Sequence, residues 1–179
     1  MLAAVRAGGI DVEDAVLRAE WRERHNRIVS SEPLRAGVEA FLDGAAAAGA
    51  KFAVASSATR DWLDQQLGRL GIRARFEAVC ARDNGRVKPA PDIYLAALAA
   101  LGVDASGAIA FEDSPNGITA AKAAGLYCVA VPNPMTVSLP LGQADLQVES
   151  FTQITYSELV DRLRGAAGYD PPNVEAPAP

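Results

Sequence analysis

Residues Ala108 to Leu126 read AIAFEDSPNGITAAKAAGL, a short apolar run, two adjacent acids, a Ser-Pro-Asn-Gly loop and an alanine-rich helical pattern that stops at Gly125. An apolar run followed by a turn and an amphipathic helix is how a buried parallel strand delivers polar residues to the carboxyl edge of an α/β sheet. Glu112 and Asp113 are therefore expected at that edge. Two neighbouring carboxylates repel each other, and a shared cation relieves the repulsion. Mg²⁺ suits the pair, because it takes hard oxygen ligands and is commonly held by one or two carboxylates together with phosphate oxygens. A solvated acidic turn that caps a helix is the plain alternative, and the pair alone leaves both readings open.

Strand and helix patterns alternate along the rest of the chain. An apolar strand is expected at Phe52 to Ala55, with further strands at Phe76 to Cys80, Ala108 to Phe111, Tyr127 to Val131 and Leu146 to Val148. Between them fall helical patterns at Leu34 to Ala48, Arg60 to Leu70, Pro91 to Leu101, Gly117 to Ala124 and Ser157 to Leu163. Such alternation predicts an α/β fold with a doubly wound parallel sheet. Ahead of it, Asp11 is a helix-cap candidate, and Leu17, Trp21, His25 and Ile28 recur at helical spacing as far as Ser30.

With 50% hydrophobic and 22% charged residues among 179, the chain has globular usage and enough length for one core. Its net charge of −5 argues against nucleic acid or an anionic membrane as partner. No apolar run reaches the ~20 residues of a membrane span, and a cytoplasmic location is expected. Cys80 and Cys128 lack metal-ligand spacing and are expected to be buried thiols. His25 is the sole histidine, which excludes a His-based metal site or a Ser-His-Asp triad.

Three stretches in order, KFAVASSATRDWL (Lys51 to Leu63), GRVKPAPDIYLAAL (Gly85 to Leu98) and FEDSPNG (Phe111 to Gly117), resemble three of the four signature motifs of the haloacid dehalogenase superfamily. The wording is closest to its β-phosphoglucomutase and phosphoglycolate-phosphatase-like branch, and the resemblance runs from about Pro33 to Asn133. It implies a Rossmann-like core and Mg²⁺-dependent phosphohydrolysis of a small phosphorylated metabolite, such as a sugar phosphate, through an aspartyl-phosphate. A phosphosugar mutase is the alternative within the family, and a non-catalytic phosphate-binding remnant the alternative outside it. A receiver domain uses similar residues but places its acidic pair first in the chain.

The resemblance also assigns roles. Ser56, with the backbone N–H groups of Ser57 and Ala58 opening the next helix, forms an anion cradle for the phosphoryl group. Lys88, held extended by Pro89, neutralises charge developing during transfer. Asp113 is the inner metal ligand, with Glu112 acting directly or through water. Ser114 and Asn116 orient those carboxylates, and Gly117 lets the backbone turn into the helix.

The superfamily's nucleophile is the first Asp of an Asp-x-Asp motif after an early apolar strand, and this sequence spells no such motif; Asp11, Asp14 and Asp43 lie in or beside helical patterns. The chain is thus expected to comprise a remnant of a helical cap (1–32), a core lacking its first strand (33–164) and a disordered tail (165–179). Such a core would leave two strand edges roughly 10 Å apart with unpaired backbone groups, making the polypeptide alone inactive and prone to aggregate.

Overall fold

The structure is a computed structural model that describes residues 14–165. Asp11 and the expected tail lie outside the described residues, except Gly165, which ends a helix instead of opening the tail. The chain divides into two units, Met1–Pro33 and Leu34–Pro179.

In the first unit, α1 spans Asp14–Ser31. Trp21 and His25, one turn apart, stack with ring centroids 4.9 Å apart, and Arg27 pairs with Glu23 at 2.7 Å. At its end the Ser30 and Ser31 hydroxyls donate to the carbonyls three residues back, competing with continuation of the helix. The face expected to be buried is largely open, with Trp21 51% and Ile28 55% exposed. Among the described residues no helix is long and apolar enough to cross a membrane.

The second unit alternates strand and helix. Its elements are α2 (Val38–Ala47), β1 (Ala53–Ala55), α3 (Arg60–Arg69), β2 (Ala78–Cys80), α4 (Asp92–Leu101), β3 (Ile109–Glu112), α5 (Pro115–Ala123), β4 (Tyr127–Ala130), β5 (Leu146–Gln147) and α6 (Tyr156–Gly165). All strand pairs are parallel: β1 with β2, and separately β3 with β4 and β4 with β5. The α/β fold expected from the alternation is the fold observed.

Side chains alternate across these strands by size. Ala53, Ala55, Ala78 and Cys80 face α4, while Ala110, Cys128 and Ala130 face α5 and Tyr94. These small residues let two alanine-rich helices sit close to the backbone. On the opposite faces, Val54 and Val79 pack with Leu63 and Leu67 of α3, and Val129 and Phe111 pack with Phe41 of α2 and Leu159 and Leu163 of α6. Phe41 meets Phe111 edge-on at 5.1 Å and Phe151 at 5.3 Å, a packing that adds to the burial term.

No strand among the described residues lies against the inner edge of β1 or of β3. Ser56 N–H donates to Cys80 O and Glu77 N–H to Phe52 O, so even-numbered backbone groups of β1 face β2 and those of Ala53 and Ala55 face away. Val131 N–H donates to Glu112 O, which likewise turns the Ile109 and Phe111 backbone away from β4. Each inner edge therefore carries backbone groups without a ladder partner.

Gly37 begins α2 in the left-handed region (φ 84°), and a Cβ there would lie 2.5 Å from the backbone of Phe151 and Thr152. Gly37→Ala is expected to cost about 2 kcal/mol or more, read as a lower urea midpoint. Both cysteines are buried, and desolvation, with the charges of Glu112 and Asp145, pushes the Cys128 thiol up to about 12. Since only the thiolate is alkylated, iodoacetamide labelling of Cys128 in the folded protein should stay low from pH 7 to 10 and rise on unfolding.

Candidate functional site

The carboxyl ends of β1 and β3 are joined by one side chain. Lys88 Nζ donates to Ala55 O at 2.8 Å and forms an ion pair with Glu112 Oε1. The two side chains are 13% and 7% exposed, which makes this a buried pair. Tyr94 of α4 donates its hydroxyl to the same Glu112 oxygen, and its ring lies 4.6 Å below the ammonium. Burial, and then the Glu112 charge, hold the Tyr94 phenol well above the usual tyrosine range, so it stays a donor.

The loop that presents Lys88 is tied down at both ends. Arg86 Nε and Nη2 grip Asp92 at 3.0 and 2.9 Å, and Arg86 N–H donates to the same carboxylate at 3.1 Å. Those bonds hold the Asp92 carboxyl below the usual carboxylate range. Gly85 makes the approach possible, because a Cβ there would meet Asp92 Cβ at 2.6 Å. Lys88 N–H in turn donates to Ser57 Oγ at 3.2 Å, fastening the loop to the turn after β1.

That turn differs from expectation. Helix α3 starts at Arg60 with Thr59 as cap, so Ser57 and Ala58 precede the helix rather than open it. Ala58 N–H donates to Ser56 Oγ at 3.2 Å, which turns one expected cradle donor onto the serine itself. Ser57 N–H has no partner among the described residues.

Glu112 and Asp113 are adjacent, yet their carboxylates have separate partners. Glu112 is the last residue of β3 and points into the unit; Asp113 lies beyond the strand and accepts from Asn133 Nδ2 at 2.6 Å through Oδ2. The shared cation inferred from their adjacency is thus not needed to relieve repulsion, since the Lys88 ammonium already neutralises Glu112. Asp113 Oδ1 accepts no hydrogen bond among the described residues and fits one hard cation completed by water or phosphate oxygens. No group of three or more metal-ligating side chains occurs among the described residues. Ser114 caps α5, accepting from Gly117 N–H at 3.2 Å, and Asn116 is exposed on its first turn.

Gly117 is required for a reason other than the turn expected of it. It is absent from the positive-φ glycines, but a Cβ there would lie 1.8 Å from Glu112 Oε2. The carboxylate occupies the space where any side chain would begin.

Sequence reasoning missed Tyr94, Asn133 and Arg35. Tyr94 is a lone hydroxyl-bearing residue on the buried face of an otherwise aliphatic helix. Asn133, in the Pro-Asn-Pro run after β4, repeats the signal that singled out Glu112: a polar residue just past an apolar strand. Arg35, whose guanidinium donates to Val131 O at 2.8 Å and Pro132 O at 2.6 Å, left no local sign.

The parallel α/β core thus brings a hydroxyl turn, a buried lysine and an acidic pair to one rim. Residues 7–131 match the haloacid dehalogenase-like hydrolases, more than half of the chain, and the chain belongs to that family. It is 41% identical to YhcW of Bacillus subtilis over 143 residues, 79% of this chain and 65% of that one. Hexitol phosphatase B of Escherichia coli is 31% identical over 135 residues, 74% of this chain and 61% of that protein. The chain therefore spans less than two thirds of the length of either relative. Among solved structures, CbbY from Rhodobacter sphaeroides in complex with xylulose-1,5-bisphosphate superposes with a TM-score of 0.72 at 30% identity, covering 84% of this chain and 70% of that one. β-Phosphoglucomutase from Clostridium difficile shares the fold, with a TM-score of 0.71 at 22% identity and coverage of 90% and 74%.

Gly117→Ala should displace Glu112 from Lys88 and cost about 1–3 kcal/mol by overpacking. Glu112→Asp, shorter by one methylene, should recover part of the loss in Gly117→Ala, measured as urea midpoints in a double-mutant cycle.

Proposed function

We propose that this protein is the phosphate- and metal-binding core of a Mg²⁺-dependent phosphohydrolase acting on small phosphorylated metabolites, with sugar and sugar-alcohol phosphates the favoured class. The observation that carries this reading is Lys88, whose backbone N–H donates to Ser57 Oγ and whose ammonium meets Ala55 O and Glu112, so that one residue joins the Ser56–Ser57 turn to the Glu112–Asp113 edge although the three motifs lie far apart in sequence. The substrate class rests on similarity to hexitol phosphatase B and to CbbY, whose structure holds a sugar bisphosphate.

In this reading the Ser56 hydroxyl and Ser57 N–H receive the phosphoryl oxygens. Lys88 holds a fixed positive charge beside them, where negative charge spreads during transfer. Because Glu112, Tyr94 and Ala55 O fix the ammonium, little reorganisation accompanies that stabilisation. Asp113 holds Mg²⁺ through Oδ1. When bound, the ion shields phosphoryl charge and orients the group for in-line attack. Residues 1–32 would then belong to a cap and residues 33–164 to the core, which holds no Asp-x-Asp to supply the attacking aspartate.

A second reading, a phosphate-binding domain without catalysis, is favoured by two observations: the sequence spells no Asp-x-Asp, and no described strand lies between β1 and β3. Titration of the chain with inorganic phosphate, and assays of p-nitrophenyl phosphate on the chain completed with a segment that supplies the Asp-x-Asp strand, each with and without Mg²⁺, distinguish the two. The hydrolase reading expects Mg²⁺-dependent turnover that falls about 10²–10³-fold in Lys88→Met and is lost in Asp113→Ala. Phosphate binding without turnover supports the second reading, and absence of both overturns the two together.

A further inference from the structure

Asn133 lies outside the motifs that identify the family, yet its amide group touches the carboxylate proposed to hold the metal. We infer that Asn133 is a positioning residue that fixes Asp113 so that Oδ1, and not Oδ2, is presented to a divalent cation. This rests on the metal reading of Asp113 given above.

The placement begins in the sheet. Val131 N–H donates to Glu112 O at 2.7 Å, extending the β3–β4 ladder by one rung and carrying Pro132 and Asn133 to the rim beside Asp113. Arg35 then clamps this extension, its two guanidinium nitrogens meeting the carbonyls of Val131 and Pro132. After the clamp the chain folds back in a tight turn: Asn133 O accepts from the N–H groups of Thr136 and Val137, both at 2.9 Å, and Asn133 N–H donates to Thr136 Oγ1 at 3.0 Å.

Within that frame the amide can face only one way. Asn133 Oδ1 accepts from Met135 N–H at 2.8 Å, closing an Asx turn, and this leaves Nδ2 as the end that meets Asp113. An isolated aspartate just beyond a strand turns freely about its last bond and offers either oxygen. With Oδ2 held at 2.6 Å, Oδ1 is the oxygen without a donor. Partners of this kind set the direction of a ligating carboxylate, and their loss commonly weakens metal binding 10–100-fold.

A role confined to closing the turn would need only Oδ1. Asn133→Ser separates the two, because its hydroxyl can accept from Met135 N–H but is too short to reach Asp113. Mn²⁺, followed by the electron paramagnetic resonance of the free ion, is titrated into the full 179-residue chain, its Asn133→Ser variant and its Asp113→Ala variant. The expected result is a Kd raised about tenfold or more in Asn133→Ser at unchanged melting temperature, with binding lost in Asp113→Ala. Wild-type affinity in Asn133→Ser, with binding lost in Asp113→Ala, overturns the inference and spares the metal reading. Wild-type affinity in Asp113→Ala removes both.

The metal-free wild-type chain gives a further readout if Asn133→Ser does not fold. The side-chain amide signals of Asn133 in a ¹⁵N–¹H correlation spectrum should be displaced from free-amide positions, exchange slowly with water and shift on Mg²⁺ addition. Signals at free-amide positions that Mg²⁺ leaves unmoved overturn the inference.

Discussion

The arrangement depends on one buried ion pair. Lys88 and Glu112 come from different segments, a loop before α4 and the end of β3, and they meet where no described strand connects the β1–β2 pair to the β3–β4–β5 sheet. Such a pair is costly to desolvate and is retained only where further polar contacts satisfy it; breaking one partner away typically costs about 3–5 kcal/mol. Here the Tyr94 hydroxyl and the Ala55 carbonyl complete the set, and the Asp92–Arg86 clamp holds the loop in place. The ammonium is thus a structural bridge and the charge at the proposed phosphate site at once. Its position at the rim is fixed by the same contacts that tie the two strand groups together.

Much of this was legible in the chain. The 2-to-3.6 changes of hydrophobic period located the described elements of the core to within a few residues, because each strand is a short apolar run closed by a polar residue or a proline. The three motifs also pointed to one rim, as parallel topology requires. What periodicity could not show is direction. Glu112 and Asp113 were read as one repulsive pair, whereas alternation along a strand sends neighbouring side chains to different partners. Ala58 was read as a free donor, although a serine two residues earlier in a turn is well placed to take its N–H. Arg35 acts 96 residues from its carbonyl partner, and nothing local announces such a contact.

The unpaired inner edges bear on stability and on comparison with relatives. Central strands of parallel sheets are ordinarily buried on both faces. Residues of β4 follow that rule, with Cys128, Val129 and Ala130 fully buried, whereas all three residues of β1 are only partly buried. The chain spans 65% of the length of YhcW. Within the described residues, the helix layer of α4 and α5 and the Lys88 bridge carry the cohesion that a continuous hydrogen-bond ladder would otherwise share.

The contact between Glu112 and Gly117 has a further consequence for how such a chain can diverge. The carboxylate fills the volume in which residue 117 would place its first side-chain carbon. Drift at one position is therefore blocked unless the other has already changed: a methyl at 117 must wait for a shorter or re-aimed side chain at 112. The two positions, five residues apart on either side of a strand end, can only evolve as a unit.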